Sequence, residues 1–420
     1  MDIRTTTLES GLTVITDSFS SVRSLAVGIW SDVGSRDEMP HQAGMAHFME
    51  HMAFKGTPTR DAVTISEGFD RLGAVQNAFT SKEVTCYHAK CIDESATGVV
   101  QILADMVASP KLEEADCALE REVIIEEIAR SGDDPEDIVH ELLTTHLWPE
   151  HPLGLPIGGT PDTVSTFGHD ITADFHASYY VSGNTLVTAA GNVDHDELVS
   201  RIERELAPLA AGSKRAAREV PTTGHTPLVV RQKDTEQAHL IFGTGTMAAS
   251  DDRREALAIL STIFGGSMSS RLFREVREKL GLVYAVYSFP QLYADAGMLG
   301  VYAGTRPGNA EKVRDVVMRE WARLGTGDVT QDEFDLAMAA IKGSMAMGLE
   351  STTKRMRGLG RGFLHLGAPV TFDESIARLE AVTLADVRLL GAELGSSPVT
   401  ISAVGPLEQD LTFAGKQERS

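Results

Sequence analysis

Two histidines and a glutamate stand close together near the start of the chain, in the order His47, Glu50 and His51. On a helix, residues four apart share a face, so the two histidines can present their imidazoles to one metal ion. Glu50 lies three residues after His47 on the same side. The spacing is H-x-x-E-H, the reverse of the H-E-x-x-H zinc helix in which the glutamate is the base. The pattern predicts a zinc site with Glu50 as general base.

The alternative is a helix that carries two solvent-facing histidines by chance. The residues around the motif argue against it, because they leave little polar face. An ionised glutamate in such surroundings is costly without a partner, and a metal ion with its water would supply one. The apolar residues concerned are Met45, Ala46, Phe48, Met49, Met52 and Ala53.

Catalytic zinc usually has three protein ligands and keeps a fourth position for water, so a third ligand is required. A long amphipathic helix predicted over residues 113–130 offers candidates. Glu120 and Glu127 lie seven residues apart on it, nearly in line on one face. We predict Glu127 as the third ligand and Glu120 as an acceptor that orients a histidine. The alternative for Glu127 is an ordinary solvated helix face.

Length and charge limit the function classes. A chain of 420 residues exceeds the roughly 250–300 residues at which single cores stop growing, so two domains are expected. The formal net charge of −22 argues against nucleic acid as a partner. No apolar run approaches the roughly 18 residues of a membrane span. Three cysteines and the absence of a targeting segment predict a cytoplasmic protein without disulfides.

An internal repeat indicates how the chain is organised. A predicted helix, a turn and an apolar strand ending at Gly191 recur near the C-terminus, where the strand ends at Gly405, 214 positions later. Strands cluster with helices rather than alternating with them, which favours an α+β fold. We therefore predict two similar domains of about 200 residues, each a mainly antiparallel sheet packed with helices. Their predicted bounds are 1–208 and 227–420, with a linker at 209–226.

The metal motif and its surroundings resemble the pitrilysin and mitochondrial processing peptidase family of zinc peptidases, and more closely its bacterial, short-chain, processing-peptidase-like branch. The stretch from Gly44 to Thr57 is similar to the family signature, and Glu120 to Glu127 resembles its E-R-x-V-I-x-x-E segment. Glu127 follows His51 by 76 residues, where the family places its third zinc ligand. The resemblance implies one Zn²⁺ per chain and hydrolysis of unfolded or extended peptides inside a chamber.

The resemblance also implies residues that bind the substrate. Residues 72–80 resemble the family's edge strand, to which an extended peptide adds as a further strand. The implied substrate-binding residues on it are Asn77, Ala78 and Phe79.

In the second half, the segment from Gly265 to Tyr284 is similar to a family segment that meets the peptide. Arg277 and Tyr284 match residues near the scissile carbonyl and are implied as catalytic. By residue type alone, they would be a helix-surface charge and a core ring.

Asp137 and Glu141 resemble positions that recognise a substrate arginine, which implies a preference for basic residues near the cleavage site. The alternative is that both are solvated helix charges.

Two such domains resemble half of the family's four-domain clamshell, which implies a homodimer, or a heterodimer with a metal-free homologous subunit. The rival interpretation is a non-catalytic scaffold or partner subunit of the same family. The intact H-x-x-E-H motif and Glu127 favour the catalytic kind, because a scaffold has no reason to keep them.

Overall fold

Two sheets organise the chain in this computed structural model, which describes residues 2–412. The strands are β1 (Asp2–Thr7), β2 (Thr13–Ser18), β3 (Ser24–Ser31), β4 (Gly56–Thr57), β5 (Arg60–Asp61), β6 (Val75–Thr80), β7 (Thr85–Ile92), β8 (Thr185–Gly191), β9 (Val229–Gln232), β10 (Ala238–Thr246), β11 (Val283–Leu292), β12 (Gly297–Thr305) and β13 (Thr400–Gly405). The helices are α1 (Met45–Met52), α2 (Ala62–Arg71), α3 (Ala96–Ala108), α4 (Glu114–Asp133), α5 (Pro135–Leu147), α6 (Pro161–Val164), α7 (His169–Tyr179), α8 (His195–Glu205), α9 (Arg254–Ser261), α10 (Ala310–Gly325), α11 (Gln331–Gly348), α12 (Thr352–Leu366), α13 (Phe372–Ala381) and α14 (Leu384–Ser396). Two π-helical segments span Thr262–Gly266 and Phe273–Lys279.

The two sheets share one topology. The first has the order β1-β2-β8-β3-β7-β6, with β2 and β8 parallel and the other pairs antiparallel. The second has the order β11-β12-β10-β13-β9, with β13 and β9 parallel. Apart from β1, each strand of the first sheet has a counterpart in the second. The prediction of an α+β chain built from two similar, mainly antiparallel domains is confirmed.

The repeat seen in the sequence corresponds to equivalent strands of the two sheets, β8 and β13. Each ends in a glycine with positive φ, 132° at Gly191 and 156° at Gly405. A Cβ on Gly191 would lie 2.1 Å from the carbonyl oxygen of Ser24, so no other residue fits there without a shift. The glycines therefore recur because the same strand exit is built twice.

Neither compact unit is continuous in sequence. The first contains the described residues up to Ala129, then Leu155–Glu219 and Met347–Thr371. The second contains Arg130–Gly154, Val220–Ala346 and the described residues from Phe372. The chain thus divides differently from the contiguous bounds predicted at 1–208, 209–226 and 227–420, of which residues 413–420 lie outside the described part.

The units are discontinuous in sequence because each contains a helix from the other half of the chain. In the first unit, α12 packs closely on the sheet: a Cβ on Gly360 would lie 2.5 Å from the ring of Trp30, and one on Gly28 would lie 2.8 Å from the sulfur of Met356. In the second unit, α5 buries apolar side chains in a cluster with Ile241 and Val404. Each helix lies in one half of the sequence and packs in the unit formed mainly by the other half.

Part of the predicted linker is anchored. The Arg218 guanidinium donates two hydrogen bonds to the Asp37 carboxylate, at 2.7 and 2.8 Å, and both side chains are buried. Arg215 lies 3.3 Å from Asp32. Buried arginines are normally paired, and here the partners come from the loop after β3. Residues up to Glu219 therefore belong to the first unit. Within residues 2–412, no helix is both long and apolar enough to cross a membrane.

A buried ion pair in the second unit predicts how stability depends on pH. Arg271 binds both oxygens of Glu333, at 2.7 and 2.8 Å. Burial disfavours the charged form of Glu333, but Arg271 and the Thr330 amide outweigh it and lower the pKa to about 2. Since this value lies below the unfolded one, the stabilisation is complete above about pH 4.5 and disappears as the pH falls towards 2.

The Glu333→Gln variant should therefore unfold more easily than the parent chain at pH 6, by at most about 3 kcal/mol, and the difference should shrink below pH 4. Urea unfolding between pH 2.5 and 6 measures it. A difference that stayed constant across this range would contradict the prediction.

Candidate metal centre

A carboxylate fixes the first turn of helix α1, which carries the metal motif. The two oxygens of Glu38 accept hydrogen bonds from the backbone amides of Gly44, at 2.8 Å, and Ala46, at 2.7 Å. The first backbone N–H groups of a helix have no acceptor within the helix, and Glu38 supplies acceptors for two of them. Burial raises the pKa of Glu38 to about 8, although both bonds favour the charged form. The helix is thus held at its start.

The apolar face of α1 holds the rest of the helix in the core of the first unit. Phe48 and Phe167 pack edge to face, with ring centroids 5.3 Å apart. The buried Tyr87 hydroxyl donates to the carbonyl oxygen of Met49. As a result, the polar residues of the motif lie on the opposite, half-buried side. The buried members of the apolar face are Met45, Ala46, Phe48, Met49 and Met52.

The two histidines of α1 meet Glu127 of α4. The Nε2 atoms of His47 and His51 lie 3.8 and 3.7 Å from Glu127 Oε2, and one ligand atom from each residue falls within 4.8 Å of the others. Zinc bonds of about 2.0–2.1 Å in a tetrahedral site place ligand atoms roughly 3.3–3.4 Å apart, so the two histidine–carboxylate distances must shorten by about 0.4 Å and the widest pair of ligand atoms by up to about 1.4 Å. The donor set of two imidazoles and one carboxylate fits a catalytic zinc ion.

The surroundings of the two histidines shift their pKa values in opposite directions. Burial, with the nearby His51, lowers the pKa of His47 to about 4, so its imidazole is neutral at pH 7 and has a lone pair to offer. Burial also disfavours charged His51, but the hydrogen bond to Glu120 and the surrounding carboxylates outweigh this and raise its pKa. His51 Nδ1 lies 3.0 Å from Glu120 Oε1, which leaves Nε2 for the metal.

Glu50, the predicted general base, is half-buried beside the two histidines. Burial raises its pKa, and a hydrogen bond from the Thr80 hydroxyl to Oε2, at 2.6 Å, opposes the rise. Thr80 therefore holds one oxygen of the carboxylate and leaves Oε1 for chemistry. Sequence reasoning missed this residue, since a threonine at the end of a strand is ordinary and carries no signal of its own.

The strand predicted to receive substrate, β6, lies at one edge of the first sheet. The Asn77 side chain is exposed, and its Oδ1 accepts the backbone N–H of Ala78 at 2.8 Å. Phe79 points to the face opposite Glu50, where its ring packs edge to face with Trp30, 5.7 Å away. Only the backbone of Phe79 is therefore available to a peptide on the side of the metal centre.

The remaining predicted site residues lie in the second unit, whereas the predicted metal ligands lie in the first. Tyr284 is on β11, the strand at the equivalent edge of the second sheet, and the residue is 58% exposed rather than part of a core. The Arg277 guanidinium lies over the Phe273 ring, 4.9 Å from its centroid. Asp137 and Glu141 are both exposed on α5.

Comparisons with known proteins give the family to which the chain is similar. The model described as Insulinase (Peptidase family M16) matches residues 13–161, and the model described as Peptidase M16 inactive domain matches residues 169–341. An uncharacterized zinc protease of Streptomyces coelicolor is 39% identical over 415 residues, which cover 97% of this chain and 90% of that protein. The uncharacterized zinc protease YmxG of Bacillus subtilis is 38% identical over 404 residues, with 96% and 98% covered.

Solved structures show the same fold at low sequence identity. A peptidase M16 inactive domain from Pseudomonas fluorescens aligns with a TM-score of 0.91 at 20% identity and covers 97% of this chain and 99% of its own. A protease from Helicobacter pylori aligns with a TM-score of 0.89 at 23% identity, with 96% and 99% covered. The family resemblance drawn from the sequence motifs is confirmed by the two family models and by the relatives from Streptomyces and Bacillus.

Proposed function

Because this chain belongs to peptidase family M16, we propose that it is a zinc-dependent endopeptidase that hydrolyses unfolded or extended peptides. The relatives named as zinc proteases support a protease function in general. The observation that supports the finer proposal is the convergence of His47, His51 and Glu127 within 4.8 Å, a donor set that could hold one Zn²⁺.

Glu50 is the proposed general base. A bound zinc ion would supply a water of lowered pKa and a polarised substrate carbonyl. Oε1 of Glu50 would accept a proton from the attacking water and return it to the leaving amine. The hydrogen bond from Thr80 to Oε2 keeps the carboxylate in one orientation during both transfers.

Strand β6 is the proposed binding edge for the peptide. An extended substrate would pair with it, and one of its carbonyls would replace Asn77 Oδ1 on the amide of Ala78. Tyr284 and Arg277 are proposed to stabilise charge on the tetrahedral intermediate. Their residue types and the exposure of Tyr284 support this role.

The working form is proposed to be a homodimer, with a heterodimer containing a metal-free homologous subunit as the alternative. The support is the family resemblance to half of a four-domain chamber. A cytoplasmic location belongs to the same proposal and is supported by three buried cysteines that remain thiols.

One experiment separates this enzyme from a non-catalytic scaffold of the same family. The purified chain is given a quenched fluorescent peptide without stable structure, and its metal content is measured. We expect about one zinc per chain, cleavage that a chelator abolishes, and recovery on adding zinc. A chain that binds no zinc and cleaves no peptide would instead be the scaffold.

A preference for basic residues is the proposed role of Asp137 and Glu141, since both carboxylates are exposed on α5. Reversing both charges, Asp137→Lys and Glu141→Lys, should lower kcat/KM for arginine-containing peptides about tenfold or more, because two attractive contacts become repulsive. Peptides without basic residues serve as the control and should be cleaved as before. An equal effect on both peptide sets would remove the two residues from substrate recognition.

A further inference from the structure

An ion pair behind the metal centre has no role in the mechanism described so far. Lys55 lies in the turn that follows α1, where its backbone amide donates to the carbonyl oxygen of Met52. Its ammonium group contacts Oε2 of Glu120, while Oε1 of the same carboxylate faces His51 Nδ1 at 3.0 Å. Glu120 is only 3% exposed, so solvent supplies little of its hydrogen bonding. Oε2 of Glu120 therefore has an ion-pair partner and Oε1 a hydrogen-bond partner, both at or just after helix α1.

We propose that Lys55 is a positioning residue for the metal centre, which it serves by clamping the Glu120 carboxylate in the orientation that holds His51. The inference rests on the proposed function, because it takes His51 as a zinc ligand. With Oε2 held by Lys55, Oε1 stays on His51 Nδ1–H, and the Nε2 lone pair stays directed at the metal.

Glu120 requires the contact with Lys55 because its carboxylate is buried. A carboxylate removed from water must have both oxygens satisfied, and one that loses a charged partner turns towards the next available donor. Without Lys55, the group is free to rotate, and its bond to His51 is no longer fixed. Outer groups that hold a metal ligand in its orientation typically contribute 10- to 100-fold to metal affinity.

The sign of the effect distinguishes positioning from simple electrostatics. A cation near the site repels Zn²⁺ through space, so removing the Lys55 charge would strengthen zinc binding if the field alone mattered. If Lys55 acts through Glu120, removing it weakens zinc binding instead. The two accounts predict opposite changes in the same measured constant.

The test is the zinc dissociation constant of the full chain, measured without peptide by competition with a chromophoric chelator. Lys55→Met keeps the length of the side chain and removes its charge, and we expect zinc affinity to fall about 10- to 100-fold. The matched control is Lys111→Met in the same unit. Lys111 has a similar side-chain exposure, 37% against 33% for Lys55, and pairs loosely with Glu113. We expect unchanged affinity in this control.

A double-mutant cycle tests whether Lys55 acts through Glu120. In a Glu120→Gln background, Lys55→Met should have little further effect on the zinc dissociation constant, and the Co²⁺ absorption spectrum of both variants should show the same loosened site. Unchanged or tighter zinc binding in Lys55→Met, or full additivity with Glu120→Gln, would overturn the inference. A parent chain that bound no zinc would instead overturn the proposed function, so the two failures are distinguishable.

Discussion

Replacing Glu50 by glutamine is expected to lower kcat by about 10²- to 10⁴-fold while the chain keeps its zinc, because the loss of a general base has this magnitude. The amide has the same shape as the carboxylate, and its oxygen can still accept the hydrogen bond from Thr80 that Oε2 accepts at 2.6 Å. It cannot take a proton from water. The metal ligands are other residues, so zinc content should stay at about one per chain.

Glu126→Gln is the matched control for this variant. Glu126 is exposed on α4, next in sequence to the ligand Glu127, and its replacement changes the charge of the chain by the same amount. We expect parental activity. Steady-state kinetics on a fluorescent peptide, together with metal analysis of both variants, decide the matter. Full activity in Glu50→Gln would remove Glu50 from the chemistry, and loss of zinc would make it a ligand instead.

Placing a methyl group on Gly360 is expected to destabilise the protein by about 1–3 kcal/mol, the usual range for an overpacked site. The added Cβ would lie 2.5 and 2.6 Å from two atoms of the Trp30 ring, in the contact between α12 and the first sheet. The ring cannot move aside freely, because Trp30 Nε1 donates to the Thr188 hydroxyl at 2.8 Å.

Gly358→Ala provides the control on the same helix. A Cβ there meets no atom within 4 Å, so no overpacking arises. The higher helix propensity of alanine should then raise the free energy of unfolding by up to about 1 kcal/mol. The two Gly→Ala variants should therefore shift the urea midpoint in opposite directions. Equal shifts would mean that α12 does not depend on close packing against Trp30.

The proposed ligand residues could be singled out from the sequence because their geometry is largely local. His47 and His51 are one helical turn apart, so any helix over this segment brings the imidazoles to one face. Glu127 needed more: its place seven residues after Glu120 on one helix face led to its prediction as the third ligand, and the family resemblance agreed with that choice. The fold brings Oε2 of Glu127 to 3.7 and 3.8 Å from the two imidazoles.

The residues that support the site could not be predicted in the same way. Thr80 and Lys55 are common types at a strand end and after a helix, and neither position carries a pattern. The role of each residue depends on the partner that the fold places beside it, which is Glu50 for Thr80 and Glu120 for Lys55. Strand β1 escaped prediction for a related reason, since it is mostly exposed and is defined by pairing with β2.

The amino-acid sequence by itself determined the metal-binding motif, the helix that carries Glu127 and the duplication, because these follow from periodicities of a few residues and from a repeat of them. Only the tertiary structure decided which sheet α5 and α12 cover. An amphipathic face specifies that a helix is packed but leaves its partner open. The same applies to Arg218. The composition of residues 209–226 predicts a linker there, but the Arg218 side chain is buried against Asp37, 181 residues earlier. Long-range pairing decides such cases, since a buried charge is stable only where the fold supplies its counter-charge.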